Sequence, residues 1–233
     1  MTIRFKATIT TIILVLAGII FIEQKQDKNI ADIFKNAFRK ERVDSDSSSK
    51  LADNVFSYYQ KQGLVEFQYQ EQIKNIDLFN LQNFDTPSSI SKVLSVINGA
   101  INEIDTHEER TARILAGAQN IVDESDLFKS AKEEFMAEFK MFIDNPKTHD
   151  LAVDIQQKTR KVLAKYAELY KFMLDNYQNY SLPHVGDGKR QVVFNQEHQK
   201  AYNQLLINID VSVLELRVAQ LAYDKFIQKQ NIK

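Results

Sequence analysis

The sequence predicts an all-α protein, an elongated antiparallel bundle of about five long helices behind a single N-terminal transmembrane helix. Three observations carry this expectation. Apolar residues recur at gaps of three and four through most of the chain. Its 233 residues hold only three prolines and six glycines, so turns are few and elements long. Ala7 to Ile22 is an uncharged run, bracketed by Arg4, Lys6 and Glu23.

That run spans roughly 24 Å as a helix, a little short of a hydrocarbon core of about 30 Å. Adding Phe5 and letting Arg4 and Lys6 snorkel to the headgroups closes most of the gap, which gives a membrane span over 5–22 within a signal anchor over 1–28. A cleaved signal peptide is the alternative, but Ala17-Gly18 followed by Ile19-Ile20-Phe21-Ile22 makes a poor cleavage site. The short basic tail favours an N-terminus inside, with the bulk of the chain on the extracytoplasmic side of the inner (cytoplasmic) membrane. The absence of cysteine suits an oxidising compartment and rules out attachment through a lipid-modified cysteine.

The remaining elements follow in order. Residues 29–49 read as a juxtamembrane helix and linker. Ile30, Ile33, Phe34, Ala37 and Phe38 share one side, and Asp44 to Ser49 are small polar residues that favour turns. Residues 50–233 form the bundle. Its first helix runs from Leu51 to about Leu81 on Val55, Tyr58, Val65, Tyr69, Ile73, Ile76 and Phe79. Thr86 before Pro87 is a restart, a threonine cap with proline at the first helical position.

The second helix carries Ile90, Val93, Ile97, Ala100, Ile104, His107, Ile114, Ala118 and Ile121, with a polar middle at 102–113 where it bends or loses its partners. Asp123 to Asp126 then suits the start of a third helix, whose stripe is Leu127, Ala131, Phe135, Phe139 and Phe142. A fourth helix runs from Leu151 to Tyr180. The segment 182–194 has no helical pattern and reads as an irregular loop or small β-hairpin with Asp187-Gly188 in its turn. Asn195 caps the last helix, whose face includes Tyr202, Leu205, Leu206, Ile209, Val213, Leu216, Tyr223 and Phe226.

Four of the 30 basic and two of the 31 acidic residues lie in 1–28, so the remainder has a formal charge of about −3, which disfavours a nucleic-acid partner. Carboxylate-bridged metal sites of bundles need Glu-x-x-His. The residues three before His107, His149, His184 and His198 are Ile104, Pro146, Ser181 and Asn195, so that class is rejected. No spacing builds a zinc site, no phosphate cradle is present at Gly186 to Lys189, and no serine nucleophile motif occurs. No catalytic, metal or cofactor residue is assigned, and an enzyme is not expected.

Two features remain as candidate ligand or partner contacts. Glu103 and His107 stand one helical turn apart, although a core or boundary histidine is the simpler reading. Tyr166, Tyr170 and Tyr177, with Tyr58, Tyr59 and Tyr180, carry apolar bodies and hydroxyls that suit a groove, although at helical spacing they equally suit packing.

Ser125-Asp126-Leu127, Gly188 with Val192-Val193-Phe194-Asn195, and Tyr202-Asn203-Gln204-Leu205-Leu206 resemble a family of uncharacterised, membrane-anchored helical bacterial envelope proteins, over about residues 80 to 210. The family members are often lipoproteins, and this chain departs from them in lacking the modified cysteine, a place that Ala7 to Ile22 can fill. The resemblance implies an envelope location and no site residues. The functional expectation is therefore a membrane-anchored extracytoplasmic scaffold or accessory module that touches the bilayer through 5–22 and binds another envelope protein. A small-ligand-binding or sensing bundle is the alternative. The first predicts an apolar patch left exposed once the bundle closes. The second predicts a polar and aromatic pocket between helices.

Overall fold

The computed structural model describes residues 45–66, 68–144, 146–185 and 189–231. The signal anchor and the juxtamembrane helix up to residue 44 lie outside the described residues. Among those described, no helix is long and apolar enough to cross a membrane. The protein is all-α apart from four two-residue strands, with seven α-helices among the described residues. These are α1 (Ser45–Glu66), α2 (Gln68–Lys74), α3 (Pro87–Asp105), α4 (His107–Asp123), α5 (Lys129–Ile143), α6 (His149–Asp175) and α7 (Gln196–Asn231). They divide between two compact units, where the sequence had suggested one bundle over 50–233. One unit holds 69–104 and 151–231, the other 45–68 and 105–150.

The smaller unit is a helical cluster of α1, α4 and α5. Its core is Leu51 and Val55 from α1, Ile114, Ala118 and Val122 from α4, and Ala131, Phe135 and Phe139 from α5. Each set recurs at three or four residues, the spacing that brings one helix face to a common core. Tyr59 adds edge-on ring contacts to Phe139 and Phe142 at 6.3 and 5.7 Å. Two expectations change here. Ser45 to Ser49 are already helical rather than linker. Asp123 to Asp126 end α4 instead of opening α5, whose first turn contains no acid. Ser125 Oγ donates to the Val122 carbonyl at 2.6 Å and Lys132 Nζ to that of Asp123 at 2.8 Å, so the polar run satisfies carbonyls at a helix C-terminus.

The larger unit departs further from the sequence reading. The helix expected to reach Leu81 stops at Lys74. Asn75 Nδ2 folds back on the Glu71 carbonyl at 3.1 Å, Asp77 accepts from the Phe79 amide at 3.1 Å, and Asn80 accepts from that of Gln82 at 3.0 Å. Short polar side chains that bond nearby backbone compete with the helical ladder, and three in six residues defeat it. A 3₁₀ turn over Leu81–Phe84 leads to α3, where Thr86 Oγ1 caps the Ser89 amide at 3.1 Å as the sequence predicts. The helix expected through Ile121 breaks at Thr106, within the polar middle. Just before the break, buried Glu103 accepts from the Tyr69 amide at 2.9 Å, satisfying an orphan donor in the first turn of α2.

The helix α6 ends at Asp175 rather than Tyr180, with Asn176 Nδ2 on the Phe172 carbonyl at 2.9 Å and a 3₁₀ turn over Tyr177–Asn179. The non-helical segment expected over 182–194 is a nested antiparallel hairpin. The outer ladder pairs β1 (Tyr180–Ser181) with β4 (Val193–Phe194), the inner β2 (His184–Val185) with β3 (Lys189–Arg190), and the Gln191 amide donates to the Pro183 carbonyl between them.

Two glycines mark close approaches. A Cβ on Gly99 would fall on the base of the Tyr69 ring, whose backbone Glu103 holds, whereas one on Gly117 would meet only the hydroxyl end of Tyr58. Gly99→Ala is expected to destabilise its unit by about 1–3 kcal/mol, the range for overpacking. Gly117→Ala, where the ring end can swing aside, is expected to cost less than about 1 kcal/mol. Thermal unfolding of the two variants side by side checks the contrast.

Candidate interaction surface

The four candidate residues are divided between the two compact units. His107 is half-buried at the start of α4 in the smaller unit, and Tyr166, Tyr170 and Tyr177 belong to the larger. Burial holds the His107 imidazole below its ordinary pKa, aided by the Arg110 guanidinium and opposed by Asp144 and Glu108. Asp144 itself bonds His149 Nδ1 at 2.7 Å, and that bond raises the exposed His149. Among the described residues no group of three or more histidine, cysteine or acidic side chains is placed to hold a metal ion.

Three tyrosines of the larger unit serve its backbone. Tyr170 is fully buried. Its hydroxyl donates to the Leu78 carbonyl at 2.8 Å and accepts from Asn83 Nδ2 at 3.0 Å. Tyr180 donates to the Phe84 carbonyl at 2.5 Å and Tyr177 to that of Asp85 at 2.7 Å. Arg190 of β3 grips both carboxylate oxygens of Asp85, so the hairpin is tied to the same segment. The residues read as a candidate groove instead hold the irregular chain between α2 and α3. Tyr166 differs: its ring meets Phe79 edge-on at 5.3 Å, and its buried hydroxyl has no hydrogen-bond partner.

An exposed surface lies on α7, at residues that the sequence reading passed over. Asn195 Oδ1 accepts from the His198 amide at 3.1 Å, and Gln199 Oε1 reaches back to the Phe194 amide at 3.0 Å, so both sides of the helix start are satisfied. Phe194 sits among Phe172, Tyr180 and Tyr202 at centroid distances of 5.3–5.4 Å and fixes where the helix begins. Lys161 of α6 bonds Glu215 at 2.7 Å further along. Ile209, Val213, Leu216, Ala219 and Tyr223 are buried.

Opposite them, Ile207, Val211, Leu214, Val218 and Leu221 are half to two-thirds exposed. At about 100° per residue these five fall within an arc of roughly 80°, centred about 180° from the buried set. The helix therefore has two apolar faces, one in the core and one in water. Its N-terminal end adjoins a shallow groove of about 560 Å³ lined by Val193, Phe194, Gln199, Lys200, Asn203 and Ile207. A contiguous apolar strip of this kind is the usual mark of a contact surface, unlike the isolated exposed Phe128 and Met141 of the smaller unit. The signal in the sequence was a second series at gaps of four, three, four and three, interleaved with the core series.

Two predictions arise from the tyrosines. Tyr170→Phe takes the hydroxyl from the Leu78 carbonyl and leaves Asn83 Nδ2 only the Asp77 carbonyl, and is expected to lower stability by about 1–2 kcal/mol. Tyr166→Phe removes an unsatisfied hydroxyl and is expected to leave stability unchanged or raise it by up to about 1 kcal/mol. Equilibrium urea unfolding of both variants tests this. Burial also pushes Tyr180 and Tyr202 up to about 12 from an ordinary 10.0, and raises Tyr166 and Tyr170 too. Below pH 10.0 folded and unfolded chains both keep these protons, so the stabilisation is complete. From there to about 12 the unfolded chain releases them first, and stability falls as pH rises. Alkaline titration should show tyrosinate absorbance appearing late and together with loss of helix. Ionisation of all nine phenols near 10 with no unfolding would contradict it.

In comparison with known proteins, no protein-family model, no curated protein and no solved structure matches this chain.

Proposed function

We propose that this protein is a membrane-anchored, extracytoplasmic scaffold or accessory module of the cell envelope, an all-α protein that binds other helices through α7. The observation that carries the reading is the exposed strip of Ile207, Val211, Leu214, Val218 and Leu221 on a helix whose opposite face is core. Apolar area of this extent in water is a standing cost that docking removes, at about 25 cal/mol per Å² before the costs of association. The uncharged run Ala7 to Ile22 behind Arg4 and Lys6 supports the anchor and its orientation with the N-terminus inside. The resemblance to anchored envelope proteins supports the location.

The second reading, a small-ligand or sensing bundle, has one observation in its favour, the groove beside β4. Two of its amides are occupied with each other, since Gln199 Nε2 donates to Asn203 Oδ1 at 3.1 Å, and none of the candidate tyrosines lines it. The docking reading is therefore preferred.

Affinity capture from detergent-solubilised membranes is the test. The full chain is compared with a variant carrying Val211→Asp and Val218→Asp, both exposed positions whose change should leave helix content and thermal unfolding intact. Partners recovered by the native chain are expected to be lost with the variant. Equal recovery by both would reject the strip as the docking site.

A further inference from the structure

We propose that the end of the smaller unit where α4 starts and α5 stops is an acid-operated clasp, in which a proton on His107 loosens the first turn of α4 and the turn into α6.

The chain path brings the parts together. α4 and α5 share one core and are joined by only five residues, 124–128, so they run antiparallel. Counting 16 residues back from Asp123 reaches His107, and 15 on from Lys129 reaches Asp144, so both lie at the end remote from that link. Tyr59 of α1 packs there too, against Phe142. His149, the first residue of α6, folds back to the same end and sets its Nδ1 2.7 Å from Asp144 Oδ1. One carboxylate thus serves two imidazoles, bonded to His149 and acting at longer range on His107.

A positive charge on His107 has little to hold it. The side chain is half-buried and stands at the positive end of the α4 dipole. Arg110, one turn on, adds a like charge while keeping interactions of its own. The opposing carboxylates are Asp144 and Glu108. Asp144 is already engaged by His149, which also feels Asp150 and Glu108. The remaining charges at this end are Asp105 and Glu109 beside the break, Lys61 of α1 and Lys147 of the turn into α6. All four are exposed, where water and salt weaken their reach. Thr106 gives α4 no side-chain cap bond, so the first turn depends on the packing around His107.

The direction in pH follows. Burial first, then Arg110, holds the folded His107 below 6.5. Its contribution to stability is complete above 6.5 and is lost as pH falls from there through the folded value. The bond to Asp144 holds His149 above 6.5, so its contribution is complete below 6.5 and is lost as pH rises through the raised value. The clasp is tightest near 6.5, and acid opens it through His107.

Hydrogen exchange of the full chain in detergent micelles reads the opening, as protection corrected for the intrinsic pH dependence of exchange. Between about pH 6.5 and about pH 5, protection of 107–111 and 147–150 is expected to fall at least about fivefold, while that of 118–122 holds. His107→Gln cannot take the proton and is expected to abolish the fall. Asp144→Asn removes a carboxylate that eases the charge on His107. It is expected to deepen the fall and to bring the proton NMR titration of His149 down toward 6.5.

No fall in the native chain, an equal fall in His107→Gln, or a shallower one in Asp144→Asn would overturn the proposal. Should His107→Gln lose helix even at neutral pH, the NMR titration of His107 in the native chain decides. A midpoint below 6.5 that coincides with the loss of protection supports the clasp, and one at or above 6.5 overturns it.

Discussion

Backbone that leaves the helix inside a packed unit must still satisfy its carbonyls, and the segment from Asn75 to Thr86 sets that problem for the larger unit. Asn75, Asp77 and Asn80 stop the helix locally by bonding nearby main chain. The carbonyls of Leu78, Phe84 and Asp85 then receive hydroxyl donors from Tyr170, Tyr180 and Tyr177, and Arg190 holds the Asp85 carboxylate. These donors come from the end of α6, the turn after it and the hairpin, more than 90 residues away in sequence. The position of the hairpin, and through Phe194 the start of α7, depends on this set of bonds.

The smaller unit meets no such demand. Its three helices bury a continuous apolar core, and its polar punctuation at Asp123 to Asp126 lies at a helix end where loose carbonyls are ordinary. Its His107 and His149 shift in opposite directions, one through burial and one through the Asp144 carboxylate.

Within this framework α7 is the unusual element. A 36-residue helix needs one apolar face for the core, and this one carries two, on opposite sides. The buried face explains why the helix is in the fold. The exposed face meets no part of the core, and the docking proposed above rests on it.

The sequence by itself determined the class of the fold and several of its boundaries. Helical spacing marked the core faces, Thr86-Pro87 and Asn195 marked two helix starts, and glycine with proline marked the hairpin, because these signals act within a few residues. Tertiary structure alone decided the division into two units and the role of the tyrosines. A periodic pattern through Ile76 and Phe79 could not show that nearby Asn and Asp side chains would win over the helix. The hydroxyls of Tyr170 and Tyr180 could have faced a ligand until the carbonyls they meet were placed. The strip from Ile207 to Leu221 was written in the sequence in full. Which of two apolar series on one helix is buried depends on the neighbours, and only the packed fold leaves this one in water.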